Sequence, residues 1–344
     1  MMTSDRFLEI LDAFATVRIA VCGDFFLDKY LVIDPALNEP SLETGLDAFQ
    51  VVGIRHSPGA AGTVTSNLAA LQIAGIHAVG AIGDDGQGYE LRQGLQRRGV
   101  DMAHLLVLEE LFTPTYTKPM VIQPEGGEQE SHRLDLKNRR PLSEAVQERL
   151  LAELEAVLPE VQAVIIADQV EEEQLGIITP SVRERLAELA LAHEDVIFFA
   201  DSRAHISEFR HVITKPNARE AALALGAAEA ATDRDALGAI GQDLARRNGR
   251  PVYITLGPDG MLVCQAEAAT HVPGIPVAGP TDICGAGDSA TAGIVSALCA
   301  GATAEEAALL GNLVASITIQ QIGSTGTASP AEVLQRYLDT YGES

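Results

Sequence analysis

Gly285-Ala286-Gly287-Asp288 sets two glycines beside an acid, and residues 289–299 continue it with small and apolar side chains that make good helix once buried. The expected arrangement is a turn that opens a helix, with Asp288 at the cap or in the first turn. Unpaired amides at such an end, aided by the positive end of the helix dipole, form a socket for an anion, and glycine lets a phosphate approach the main chain. An acid in that socket repels phosphate unless it receives the proton of the alcohol that attacks it. Phosphoryl transfer needs that combination: positioning, charge neutralisation and one acid to orient a hydroxyl. An Asp capping a helix after a glycine turn is the structural alternative, and the four residues alone leave both readings open.

Other stretches carry groups that chemistry can use. Asn217-Ala-Arg-Glu220 follows HVITKP and opens a helix over 218–225, with an amide and a carboxylate one turn apart on one face. Oxygen ligands so spaced suit Mg²⁺ carried in on a nucleotide and held largely through water, and the same pair reads as an ordinary capping box. Thr255-Leu-Gly-Pro-Asp-Gly260 ends an apolar run with Gly257 and Gly260, so that a nucleotide can lie across bare backbone; a plain strand-turn-strand is the equally economical reading. Gly23-Asp24-Phe-Phe-Leu-Asp28 puts two carboxylates after the first apolar run, where they can bond sugar hydroxyls. SPGAAGTVTSNLAALQ, at 57–72, is a small-residue turn into a helix, open to ligand or to close helix-to-sheet packing.

The elements that must position these groups are legible as a rhythm. Apolar runs of strand length recur at 18–22, 77–82, 163–167, 196–200, 211–214 and 252–256, and helical patterns such as 142–158 and 180–193 lie between them. Strands alternating with helices predict an α/β fold whose mostly parallel sheet is covered on both faces, with ligands at the carboxyl ends of the strands. Two segments, about 30–57 and 106–135, break the rhythm with short alternating runs and predict hairpins forming a β-rich flap; two surface loops are the plainer alternative. The whole of 1–344 is expected to form a single domain.

Composition narrows the function classes. A 344-residue chain that is 47 % apolar can fill a large core. Its 48 acids against 24 bases give a net charge of −24, which excludes a sequence-blind grip on nucleic acid or an anionic membrane, so any anionic ligand must be held locally. The first twenty residues lack a signal-peptide pattern and no stretch reads as a membrane span, so a cytoplasmic location is expected. Cys22, Cys264, Cys284 and Cys299 lack zinc spacing and read as reduced thiols.

Taken in order, GDFFLD, PGAAGTVTSNLAAL, IGDDGQG, KPNARE, ITLGPDG and DICGAGDSATAG resemble the ribokinase (pfkB) family of carbohydrate kinases over about residues 17–335. VCGDFFLDKY, HRLDLKN and IGSTGTASPAEV resemble bacterial heptose-phosphate kinases within it. The resemblance implies a ribokinase-like three-layer α/β/α fold with a small β-rich lid, and an ATP-dependent kinase acting on a hydroxyl of a sugar or sugar phosphate. It implies Asp288 as base; an anion hole from Gly285, Ala286 and Gly287 with the Asp288 amide; Asn217 and Glu220 organising Mg²⁺; and Thr255, Gly257 and Gly260 along the nucleotide. It also implies that Asp24, Asp28, Gly59 and Ala60 face the sugar, with Thr63 where relatives carry a substrate-contacting Asn; Arg133 in HRLD, with Lys29, reads either as the partner of a substrate phosphate or as a solvated base of the lid. Asp282, Cys284 and Gly323 match a loop for a monovalent cation such as K⁺, and lids of this kind often pair, which implies a homodimer. Cys284 stands where Thr is usual. The alternatives are a non-catalytic sugar or nucleotide sensor on the same fold and a dinucleotide-dependent dehydrogenase, which lacks its GxGxxG turn; a Walker-type NTPase is excluded by the lack of a Gly-Lys pair.

Overall fold

The computed structural model describes residues 2–226, 233–323 and 325–342; Ser324, inside the IGSTGTASPAEV stretch, lies outside them. A nine-stranded sheet runs in the order Ala269–Val272, Met261–Cys264, Val252–Thr255, Ile213–Thr214, Ile197–Ser202, Ala163–Asp168, Arg18–Gly23, Gly75–Gly83, Leu105–Leu108. From Val252–Thr255 to Leu105–Leu108 every pairing is parallel, and the last two strands at the other edge are antiparallel. All six apolar runs singled out in the sequence are strands of this sheet.

Both faces are covered, which is why its strands are apolar throughout rather than alternating. Ile19 and Val21 point into one core with the helices Ala61–Ala70, Ala286–Cys299 and Ala304–Thr318, while Ala20 and Cys22 point into the other with Glu144–Val157 and Pro180–Ala192. The result is the expected α/β/α sandwich. Helix Ala286–Cys299 is buried almost all round, and its small residues have a packing reason: a Cβ on Gly293 would stand 3.1 Å from the Cα of Gly311 on helix Ala304–Thr318, so the two backbones meet without side chains between them.

A second sheet runs in the order Leu134–Leu136, Thr115–Ile122, Phe25–Ile33, Val51–Ala60, with Glu128–Glu130 added on Thr115–Ile122. It is the expected lid with different borders. It begins at Phe25 and ends its first arm at Ala60, wider than 30–57, while Leu105–Leu108 belongs to the main sheet. Its two arms are joined by parallel pairing of Phe25–Ile33 with Thr115–Ile122, a long-range contact that local alternation cannot announce. Among the described residues no helix is long and apolar enough to cross a membrane.

Candidate active site

Between the two sheets lies a cavity of ≈ 190 Å³ lined by residues of both, Asp28, Tyr116, Lys118 and Arg133 on the lid side and Arg203, Cys284, Gly285 and Asp288 on the other. Phe26, Ala60, Thr63, Gln169 and Thr325 complete its wall. It sits where strand-end loops converge: Gln169 follows Ala163–Asp168 and Arg203 follows Ile197–Ser202.

The helix tip is built as its sequence predicts. Gly285 adopts the left-handed conformation (φ 78°) as N-cap and Asp288 is the third helical residue. No side chain caps this end. The amide of Ala286 donates to the Ile283 carbonyl at 3.1 Å, whereas those of Gly287 and Asp288 have no backbone acceptor among the described residues. Of the four amides named from sequence, Ala286 is spent on closing the turn, while Gly285, Gly287 and Asp288 have no backbone acceptor among the described residues. Asp288 is half-buried at the cavity floor, and burial first, then the charge of Asp201, pushes its carboxyl up to about 7. A carboxylate so raised is suited to accept a proton near neutral pH.

Asn217 and Glu220 form a reciprocal capping box, Glu220 N–H donating to Asn217 Oδ1 at 2.9 Å and Asn217 N–H to Glu220 Oε2 at 2.8 Å. The geometry realises the structural reading of the motif and leaves Glu220 Oε1 outside the box, so the pair fits a metal met through water rather than a closed cage. The motif lies beside the glycine turn: Asn217 bridges to Thr255, whose amide donates to Pro216 O at 3.0 Å. Gly257 (φ 60°) has nothing within 4 Å of where a Cβ would stand, an open backbone that a nucleotide can cover. Gly260 has a packing reason instead, since its Cβ would collide with the backbone of Val272 and Gly274.

Several expected site residues are placed differently. Asp24 is buried and accepts from the amides of Ile177 (2.8 Å), Gln169 (2.9 Å) and Val170 (3.2 Å), so its carboxylate is committed to backbone and does not line the cavity. Burial and Asp168 nevertheless push it up to about 6. Lys29 pairs with Glu90 at 2.8 Å, because successive residues of a strand face opposite ways and Asp28 takes the cavity side. Gly59 makes room: a Cβ there would come within 2.5 Å of Asp28 Oδ2. Asp282 accepts from the amides of Cys284 (3.0 Å) and Gly323 (3.2 Å), one at each oxygen, so its carboxylate stitches the loop. Arg133 does line the cavity, stacked 4.0 Å over Tyr116 and held by both oxygens of Asp135.

Sequence reasoning missed Lys118, Arg203, Asp201 and Lys215. Lys118 lies 3.5 Å from Asp28 and 4.9 Å over the Tyr30 ring. Its signal was the alternation of Tyr116 and Lys118, two residues apart on one strand face. Arg203, Asp201 and Lys215 sit at carboxyl ends of strands, a position the α/β pattern already marks.

Fold and site together define a phosphotransferase of the carbohydrate-kinase type, and residues 28–332 match pfkB family carbohydrate kinases. The chain belongs to that family and is a sugar kinase. Among named proteins it is similar to the bifunctional protein HldE of Gluconobacter oxydans (strain 621H), 29 % identical over 338 residues covering 97 % of this chain and 67 % of that protein. It is also similar to HldE of Caulobacter sp. (strain K31), 31 % identical over 322 residues, 93 % of this chain and 63 % of that protein. The chain thus spans about two thirds of the length of these relatives. In fold it is similar to Arabidopsis thaliana ribokinase complexed with ribose and ATP (TM-score 0.67, 18 % identity, 93 % of this chain and 98 % of that one). Phosphofructokinase-2 from Escherichia coli in complex with potassium shares the fold as well (TM-score 0.69, 18 % identity, 94 % and 99 %).

Proposed function

We propose that this kinase transfers the terminal phosphoryl group of ATP to a hydroxyl of a phosphate-bearing sugar. The observation that carries the reading is a cavity in which a raised carboxylate, Asp288, and the free amides at its helix tip share the space with Lys118, Arg133 and Arg203. In a chain of net charge −24, three cations around one small cavity are the local hold that an anionic sugar requires.

In this mechanism Asp28 accepts from a sugar hydroxyl, and Asp288 accepts the proton of the attacking one at its carboxylate oxygen. The Gly287 and Asp288 amides donate to the migrating group, and Arg133 and Lys118, ordered by Tyr116 and Tyr30, fix the distant phosphate. The nucleotide lies along Thr255 and Gly257, with Asn217 and Glu220 beside its phosphates. Mg²⁺ bound there would neutralise charge on the phosphate oxygens. The lid excludes water by closing over the sugar. A monovalent cation near Cys284 and Gly323 is a separate part of the proposal; equal rates in K⁺ and in an organic-cation buffer would remove it.

The test is an ADP-release screen over sugars and sugar phosphates, including heptose 7-phosphate and the fructose phosphates. Turnover at least 100-fold more efficient with a phosphorylated sugar is expected. Stabilisation by ligands without ADP release would make the chain a sensor, and equal efficiency with unphosphorylated sugars would remove the role given to the three cations.

A further inference from the structure

Lys215, the first residue of KPNARE, is an ammonium buried to 3 % exposure, and neither the roles assigned to that motif nor the proton transfer uses it. Its Nζ lies 2.9 Å from Asp201 Oδ2, and the same oxygen accepts from Thr291 Oγ1 at 3.1 Å, in the second turn of helix Ala286–Cys299. Its backbone amide donates to Ala200 O at 3.0 Å, so the residue is fixed at both ends. Burying an ion pair is costly and an apolar pair of like size generally serves stability better, so a pair retained at this place asks for another use. Its surroundings supply one. A Cβ placed on Gly287 would stand 3.6 Å from Lys215 Nζ and 4.0 Å from Asp201 Oδ2, so the ammonium lies against the residue that heads the anion socket. A lysine has three N–H donors, and the pair with Asp201 uses one.

We infer that Lys215 is a catalytic residue whose ammonium, aimed by Asp201 and Thr291, neutralises the phosphoryl group in transit and completes the anion socket begun by the Gly287 and Asp288 amides. The inference rests on the kinase reading above. As the bond from phosphorus to the ADP oxygen breaks and the bond to the sugar oxygen forms, the hydroxyl proton goes to Asp288; Lys215 stays protonated throughout and stabilises charge carried by the equatorial oxygens. Cationic groups in this position act in the transition state more than in the ground state.

The experiment compares the native chain with Lys215→Met, Asp201→Asn and the double variant. Lys215→Met should lower kcat by about 10²–10³-fold, with KM for the sugar phosphate within threefold. Binding gives an independent readout: ADP with Mg²⁺, fluoroaluminate and sugar phosphate, a mimic of the migrating group, should bind about 100-fold more weakly to Lys215→Met, while ADP alone binds within threefold of native. Lys215→Met leaves the partly buried Asp201 without its cation and can fail to fold, so the charge-balanced double variant is the safeguard: it should unfold at no lower urea than the native chain and stay as inactive as the single variant. A folded double variant within fivefold of native kcat, or fluoroaluminate binding unchanged by loss of the lysine, overturns the role of Lys215 and leaves the kinase reading standing. A native chain that releases no ADP with any sugar or sugar phosphate overturns that reading, and this one with it.

Discussion

Asp288 has to be ionised to accept a proton, yet its place in the fold favours the protonated form, burial acting first and Asp201 second. Two consequences of opposite sign follow. Activity should fall as pH drops through about 7, with one proton on the acid limb of kcat. Stability runs the other way: the folded pKa lies above the unfolded value near ~3.9, so Asp288 favours the fold while protonated and loses that contribution as pH rises through about 7. Asp288→Asn should therefore cut kcat by several orders of magnitude while raising stability at pH 8 by on the order of 2 kcal/mol, a gain that vanishes by pH 4, as urea titrations at the two pH values would show. A tenfold or smaller loss of kcat, or a variant less stable at pH 8, would contradict the assignment. Ala60 offers a second test. It lines the cavity with φ 53° and ψ −120°, a conformation suited to glycine, so Ala60→Gly should release about 1–2 kcal/mol of strain, read as a higher urea midpoint. A lower midpoint would show that the methyl group is needed more than the strain costs. Cys284 is exposed on the cavity wall, so alkylation should inactivate the enzyme and ATP should slow it; equal rates with and without nucleotide would place the thiol outside the bound site.

At the scale of elements, the helix carrying Asp288 is located by glycine-to-glycine contact. A Cβ on Gly311 would stand 2.7 Å from the Ile294 side chain and 3.1 Å from Ala290 O, so Gly311→Val should push the Asp288 helix aside and lower both kcat and stability, by about 1–3 kcal/mol for overpacking, checked by urea unfolding and turnover together. Loss of stability with full turnover would mean that the helix tip keeps its place without this contact. The same elements explain what the sequence could disclose. Strands of the main sheet were legible because each is apolar along its whole length, and Asp288 was legible because glycines and an acid within four residues define a helix tip locally. The share of Asp24 and Asp28 was not. Both follow the first strand, but the crossing to the second sheet between Gly23 and Phe25 buries one against the amides of Gln169, Val170 and Ile177 and leaves the other on the cavity face. Lys118 was hidden for a similar reason: it reaches the cavity only because Thr115–Ile122 pairs in parallel with a strand about ninety residues earlier, Tyr30 lying opposite Lys118.

For the molecule as a whole, the lid's outer segment carries apolar side chains that this chain leaves uncovered. Leu42 is fully exposed, Leu46, Phe49, Val52 and Ile54 are each more than half exposed, and all lie between residues 42 and 54. Val52 and Ile54 alternate along one face of Val51–Ala60, whose last residue, Ala60, lines the cavity. An apolar face of this kind on a chain of net charge −24 is an interface to be expected, since charge alone would keep copies apart. A second copy of the chain is the occupant that the lid resemblance implies, so light scattering at micromolar concentration should give twice the chain mass. Val52→Asp with Ile54→Asp should shift it to one chain mass, because two buried like charges on each side of a shared face oppose association. The same double change should raise KM for the sugar several-fold with smaller effect on kcat, since a lid arm freed from its partner costs more to order over the substrate than it contributes to the chemical step. A native chain that is monomeric at tens of micromolar, or a dimer that survives both aspartates, would assign that face to something other than self-association and leave lid closure to a single chain.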